Sequence, residues 1–189
     1  PRSVYAISKV FAYHSVIHYR EAYNLHACNG ILFNHESPRR GVNFVTKKII
    51  QGLTRIKNGK QKILVLGNLY SRRDWGHAKD YVESMWRILQ QKKPDDFVVA
   101  TRTSHSVKDF INISAKKIGI KLIWKNKGLK EVGIDKTNNK TIITVNKKYF
   151  RETEVDDLIG DYSKAKRLLK WKPKYSFNAL VDDMIKNEK

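Results

Sequence analysis

Gly30-Ile31-Leu32-Phe33-Asn34-His35-Glu36-Ser37-Pro38-Arg39-Arg40-Gly41 is the stretch on which the reading of this chain turns. Gly30 to Phe33 predicts a short buried strand. It gives way at once to a polar, doubly basic loop, with Pro38 and Gly41 to fix its path. A basic loop at the carboxyl end of a strand suits phosphate, because ligands of open α/β sheets bind there. Behind it, Phe44-Val45-Thr46-Lys47-Lys48 leads into a helix predicted from about Val45 to Lys57, with Asn58-Gly59 as its stop.

Outward from this stretch, helices and strands alternate. Val4 to Asn24 has apolar residues at helical spacing (Val10, Phe11, Val16, Ile17, Ala22) and no internal Gly or Pro, which predicts one long helix. Ile63 to Leu66 reads as a strand, and His77 to Gln91 as a helix with Val82, Met85, Trp86 and Leu89 as its apolar stripe, closed by Pro94. Phe97 to Ala100 is a strand, and Val107 to Ile118 a helix ending at Gly119. Leu122-Ile123-Trp124 and Thr141 to Val145 flank a Lys-, Asn- and Gly-rich stretch that suits a hairpin excursion. Helices Ser163 to Leu169 and Phe177 to Lys186 finish the chain. The alternation means an α/β protein.

Composition bounds the function. With 189 residues, 41% of them hydrophobic, the chain can bury a respectable core. Its 38 Lys and Arg against 18 Asp and Glu leave +20, which favours an anionic partner: nucleic acid, an acidic membrane face or a phosphorylated small molecule. The bases are scattered from Lys9 to Lys189, so most read as solvated surface. A single Cys28 excludes an intrachain disulfide and a Cys-based zinc cluster, and a reducing, cytoplasmic setting is expected. No apolar run has the length of a membrane span, and Pro1-Arg2-Ser3 lacks both a signal peptide's apolar core and an initiator Met. The chain is expected to begin inside a longer protein.

Tyr5 and Lys9 stand four apart on the first helix, so both side chains can reach one ligand. A neighbouring ammonium favours phenolate, as a general base requires. Spacing alone is weak, since Tyr162 and Lys166 repeat it where it reads as surface decoration. Arg39 and Arg40 suit phosphate because a guanidinium is a planar, permanently charged fork. The six His show no metal spacing, and no metal site is expected.

The order of these pieces resembles the GDP-mannose 4,6-dehydratase family, which are extended short-chain dehydrogenase/reductases. The resemblance rests on Tyr5-x-x-x-Lys9, Asn34 to Lys48, Arg73-Asp74-Trp75-Gly76-His77 and Arg151-Glu152-Thr153-Glu154. It implies an NADP-dependent hydro-lyase that turns GDP-mannose into GDP-4-dehydro-6-deoxy-mannose, on the route to GDP-fucose and other deoxyhexoses. Tyr5 would be the base and Lys9 would hold the nicotinamide ribose, with His35 and Arg40 as further cofactor contacts. Asn34, Val45, Lys48, Arg73, Arg151 and Glu154 would bind the nucleotide sugar, with Lys47 as a companion. The 35–48 loop would reach a neighbouring subunit, giving a homo-oligomer, with neither nucleic acid nor membrane as a partner.

Val4 and Glu152 stand where the family has Pro, and no Gly-x-x-Gly-x-x-Gly turn occurs. The chain is therefore expected to be the carboxyl-terminal part of a Rossmann-like NADP-binding domain plus a smaller α/β substrate-binding lobe. Residues 1–68 would belong mainly to the first and 69–189 to the second. By itself it is expected to be inactive, because the family's elimination uses a Glu and a Thr upstream of Pro1. Asp161 with Lys164 to Pro173 resembles the closing helix of nucleotide-sugar epimerases and dehydratases generally, and Trp171 there reads as core. The competing readings are another nucleotide-sugar dehydratase or epimerase, and a basic nucleic-acid-binding protein.

Overall fold

A computed structural model of the chain describes residues 1–150, 153 and 155–188. The architecture is mixed α/β, with pairs of parallel strands and helices packed over them.

Helix α1 (Val4–Tyr23) starts where the Ser3 hydroxyl accepts from the Ala6 N–H at 3.1 Å, and ends at left-handed Asn24. Its apolar spacing makes a helix without burying a face: Val4, Ile7 and Phe11 are exposed, and no α1 residue is fully buried. Strand β1 (Gly30–Leu32) runs parallel to β6 (Phe97–Val99), Ile31 opposite Val98. The polar segment expected to be loop from Asn34 onward begins instead with a strand, β2 (Asn34–Glu36), parallel to β5 (Trp75–His77). Partners drawn from a distant segment decide this, not local periodicity. Helix α2 (Val45–Lys57) follows and leads to β3 (Leu64–Leu66).

Two-residue strands β4 (Arg72–Arg73) and β7 (His105–Ser106) pair antiparallel, and β11 (Asp157–Leu158) joins β4 in parallel. Helix α3 (Ala78–Leu89) overturns one expectation: Val82, Met85, Trp86 and Leu89 are 40–64% exposed, and the buried residues are Asp80, Tyr81, Ser84 and Ile88. The helix is fixed from its other face, where the Trp171 indole N–H donates to the Asp80 carbonyl and the backbone N–H groups of Lys174 and Tyr175 donate to the Asp80 carboxylate.

Helix α4 (Val107–Lys117) opens with a capping box between Ser106 and Asp109. The expected hairpin excursion carries a strand inside it: β8 (Leu122–Lys125), β9 (Val132–Asp135) and β10 (Lys140–Val145) form a meander, and β10 lies parallel to β3. Helices α5 (Ser163–Leu168) and α6 (Phe177–Lys186) close the chain.

Two apolar clusters result. Ile49, Leu53, Leu64, Phe110, Ile143 and Leu180 anchor the larger, between α2, α4, α6 and the β3–β10 sheet. Tyr81, Ile88, Phe97, Val99, Leu169 and Trp171 form the smaller, with half-buried Cys28 and Tyr162 packed against it.

Candidate functional site

The carboxyl ends of β1 and β6 feed the site. Phe33 continues the β1–β6 pairing through its N–H to the Val99 carbonyl at 2.9 Å, and the chain then turns into β2. The β2–β5 register sets Asn34 opposite Trp75, His35 opposite Gly76 and Glu36 opposite His77. Two segments 41 residues apart are thereby brought side by side.

His35 Nδ1 lies 2.9 Å from the Phe33 carbonyl, which can only accept, so Nδ1 carries the hydrogen and neutral His35 presents Nε2 as an acceptor. Its ring leans on Tyr81 with centroids 4.9 Å apart. A Cβ at position 76 would run into that Tyr81 ring, which is why glycine is needed opposite His35. Burial, with Asp74, Asp80 and Glu36 nearby, pushes the Tyr81 hydroxyl far above the usual tyrosine range, so it stays protonated.

Tyr5, Lys9, Tyr13, Asn29, Leu32 and His35 line one open cleft of about 740 Å³ between α1 and β1. Lys9 Nζ sits 5.3 Å from the Tyr5 ring centroid, and Tyr5 is 72% exposed. The cleft offers a phenol, an ammonium and an imidazole to one ligand. A second open groove, about 650 Å³ between Gln90 and Phe97, contains none of these groups.

Arg40 stands outside the cleft. Its guanidinium carbon lies 3.5 Å from the Phe44 ring centroid and its Nε 3.0 Å from Glu36 Oε2, an ion pair without hydrogen-bond alignment. Burial pushes the Glu36 carboxyl up, against the Thr46 hydroxyl at 2.6 Å and the charge of Arg40. Glu36 thus braces the basic loop from beneath. Lys47 is likewise tied down, donating to Glu188 at 2.5 Å and to the Pro38 carbonyl. Half-buried Val45 opens α2, and the Lys48 ammonium rests 4.0 Å from the Tyr149 ring centroid.

Arg73 lies opposite His105 in the β4–β7 ladder and donates from Nη1 to the carbonyls of Arg72 and Val155, both at 2.7 Å. Arg151 and Glu154 fall outside the described residues. Between them, the Thr153 hydroxyl donates to the Arg2 carbonyl at 2.9 Å, beside the start of α1.

Sequence reading missed Asp74. Its buried carboxylate takes the N–H and hydroxyl of Thr101 on Oδ1, and the N–H groups of Arg102 and Gly160 on Oδ2. Its place beside Arg73 was visible, but its distant partners were not.

A profile of the GDP-mannose 4,6 dehydratase family matches residues 1–184. The chain is 53% identical over 186 residues to a GDP-mannose 4,6 dehydratase of Drosophila melanogaster, covering 98% of this chain and 47% of that protein. It is 53% identical over 185 residues to the Homo sapiens protein of the same name, covering 98% and 50%. A Vibrio cholerae GDP-mannose 4,6-dehydratase is 47% identical over 195 residues, with 98% and 52% covered. The chain spans about half the length of the curated relatives it matches. Among solved structures, RMD from Pseudomonas aeruginosa complexed with NADPH superposes with TM-score 0.78 at 17% identity, over 99% of this chain and 56% of that one. A dTDP-glucose 4,6-dehydratase from Bacillus anthracis in complex with NAD gives 0.77 at 18%, over 99% and 52%. At these identities the two show the fold: that of Rossmann-type epimerases and dehydratases.

Proposed function

The chain belongs to the GDP-mannose 4,6 dehydratase family, and on that premise we propose that it is part of an enzyme that dehydrates GDP-mannose to GDP-4-dehydro-6-deoxy-mannose, a hydro-lyase reaction. The observation that carries this reading is the cleft in which Tyr5, Lys9 and His35 stand together, at the end of the strand that continues into the β2–β5 pair.

Tyr5 takes the proton of the sugar's 4-hydroxyl through its exposed phenolic oxygen, and Lys9 holds positive charge next to it. Tyr5, Lys9 and His35 would hold NADP in this cleft, with Arg40 a further contact from outside it, and the cofactor would supply a reversible store for one hydride. Asn34, Val45 and Lys48 line the nucleotide-sugar site, Arg73 and Arg151 grip the diphosphate, and Glu154 accepts from the ribose hydroxyls. Residues 1–68 serve mainly the cofactor side and 69–189 mainly the nucleotide-sugar side, with segments of the two interleaved. The 35–48 loop, exposed from Gly41 to Phe44, reaches a neighbouring subunit of a homo-oligomer. A cytoplasmic setting is part of the same proposal, resting on the single cysteine. Among the described residues, no helix is long and apolar enough to cross a membrane.

The test uses the protein extended to the length of its relatives. Incubated with GDP-mannose and NADP, it should release a product lighter by one water. Tyr5→Phe should lower turnover by ~10²–10⁴ with little change in nucleotide-sugar binding, because it removes a proton acceptor and no bulk. Tyr162→Phe is the control. Equal behaviour of the two variants would sink the assignment of Tyr5, and preferential turnover of a uridine or thymidine diphosphate sugar would favour a related dehydratase or epimerase.

A further inference from the structure

Among the described residues, five that are not glycine have a left-handed backbone: Asn24, Arg102, Asn126, Asn139 and Lys170. Asparagine visits that region readily, since its short amide bonds to the local backbone. Lys170 stands just past the Leu169 cap of α5, where helix termination favours it. Arg102, with φ 64, has neither reason. A bulky residue keeps such a conformation only where its surroundings impose it.

What imposes it is Asp74, whose Oδ2 accepts the Arg102 N–H at 3.0 Å while Oδ1 holds Thr101 through N–H and hydroxyl at 2.8 and 2.6 Å. The anchor is buried, yet the side chain it presents is 55% exposed. The ion pair Arg102 makes, 3.4 Å to an Asp161 that is 64% exposed, is of the kind that solvent screens to little. That contact does not account for an arginine on a strained turn.

The location does. The 101–104 turn leads from the carboxyl end of β6 to β7, and β6 runs parallel to β1, whose carboxyl end passes into Asn34 and His35. Arg72 clasps the same turn through the Ser104 carbonyl at 2.6 Å, and Asp74 is the chain neighbour of Arg73. One buried carboxylate thus fixes Arg73 through the chain and Arg102 through its N–H.

We propose that Arg102 is a further anion-binding residue, presenting its guanidinium to a phosphate group of a ligand seated at the carboxyl ends of β1 and β6. A guanidinium fork matches two phosphate oxygens, which a flexible ammonium cannot do as well.

The test titrates the protein extended to the length of its relatives and its Arg102→Gly variant by calorimetry at low salt, with pyrophosphate, with GDP, and with guanosine as the phosphate-free control. Arg102→Gly should lose about tenfold or more in affinity for pyrophosphate and GDP, as expected for one charge-assisted contact, and leave the response to guanosine unchanged. Its Tm should rise slightly, because glycine adopts this φ without strain. Lys170→Gly replaces the other left-handed base and should not alter pyrophosphate binding. Unchanged pyrophosphate affinity in Arg102→Gly overturns the proposal, as does a wild type that binds none, and a fall in Tm would show the arginine kept for the fold instead. Failure of the nucleotide-sugar reading looks different: GDP-mannose would be inert in the extended protein while pyrophosphate still separated wild type from Arg102→Gly.

Discussion

Arg20 and Asp96 meet side by side, each of two guanidinium nitrogens donating to one carboxylate oxygen at 3.0 Å across 76 residues of sequence. Asp96 Oδ1 also takes the backbone N–H and side-chain amide of Asn29 at 3.0 Å. The end of α1 and the approaches to β1 and β6 therefore share one carboxylate. Since α1 has no fully buried residue, this clamp is a principal tie holding the helix that carries Tyr5 and Lys9.

Asp96→Asn should loosen α1 without unfolding the rest. Both partners are less than one-fifth exposed, and weakening a charged, hydrogen-bonded pair of this kind costs about 1.5–3 kcal/mol. Burial raises the Asp96 carboxyl, but the hydrogen bonds from Arg20 and Asn29 and the charge of Arg20 outweigh it and hold it below its ordinary 3.8. A depressed carboxyl contributes stability that is present above the unfolded value and lost as pH falls through the folded one. Amide exchange should thus quicken across α1 relative to α2 in the variant, and in wild type only at strongly acidic pH. Equal exchange in variant and wild type at neutral pH would mean that α1 has another anchor.

Asp74→Asn should be more damaging. It replaces one acceptor oxygen with an amide whose hydrogens face the donors of Thr101 or those of Arg102 and Gly160. Leaving such donors buried and unmatched costs ~2–4 kcal/mol, a fall in Tm of roughly 5–15 °C for a chain of this size. A smaller loss, with the 101–104 turn still protected from exchange, would show that water or a neighbour replaces the carboxylate.

What was legible in the sequence follows from how far each signal reaches. Helices α2, α4 and α6 announce themselves through local caps and spacing, as the Ser106–Asp109 box does for α4. Strands β2, β4, β5 and β7 are two or three residues long, too short to show a period of two, and exist only because distant partners lie alongside. The α3 stripe misled because Val82, Met85 and Trp86 have helical spacing without a covering surface among the described residues, while Asp80 and Tyr81 are buried by the 171–175 segment and His35. At the site, the roles proposed for Tyr5, Lys9 and His35 rest on family resemblance, and folding supplies their common cleft. The clasp of Asp74 on Arg102 and Gly160 has no sequence signature at all.

His105 should make stability depend on pH near neutrality. Its ring is stacked on Phe177 at 3.8 Å, and burial pushes the imidazole below 6.5, with Arg72 acting the same way and Asp109 and Asp74 opposing. A depressed imidazole favours the neutral form in the folded state, so its contribution is present above the unfolded value and fades as pH falls through the folded one. His105→Phe keeps the stack and removes the titration. Between about pH 8 and pH 5 the Tm of wild type should fall further than that of the variant, and parallel curves would rule out His105 as the cause.

Arg73→Ala tests the nucleotide-sugar side against the strongest competing use of a +20 chain. If Arg73 grips a diphosphate, losing its charge-assisted contact should weaken GDP binding about ten- to a hundredfold. Arg73→Lys should recover only part of this, because an ammonium keeps the charge without the planar fork. Arg73 also holds the Val155 carbonyl, so the variants need a Tm alongside each titration. A loss of GDP affinity with Tm nearly unchanged is then a loss of ligand contact. A nucleic-acid-binding role expects a different pattern, in which a generic oligonucleotide binds the wild type, loses affinity steeply with added salt, and weakens with each arginine removed. Unchanged GDP affinity in Arg73→Ala, with oligonucleotide binding reduced, would move the function of this basic surface from a nucleotide sugar to a polyanion.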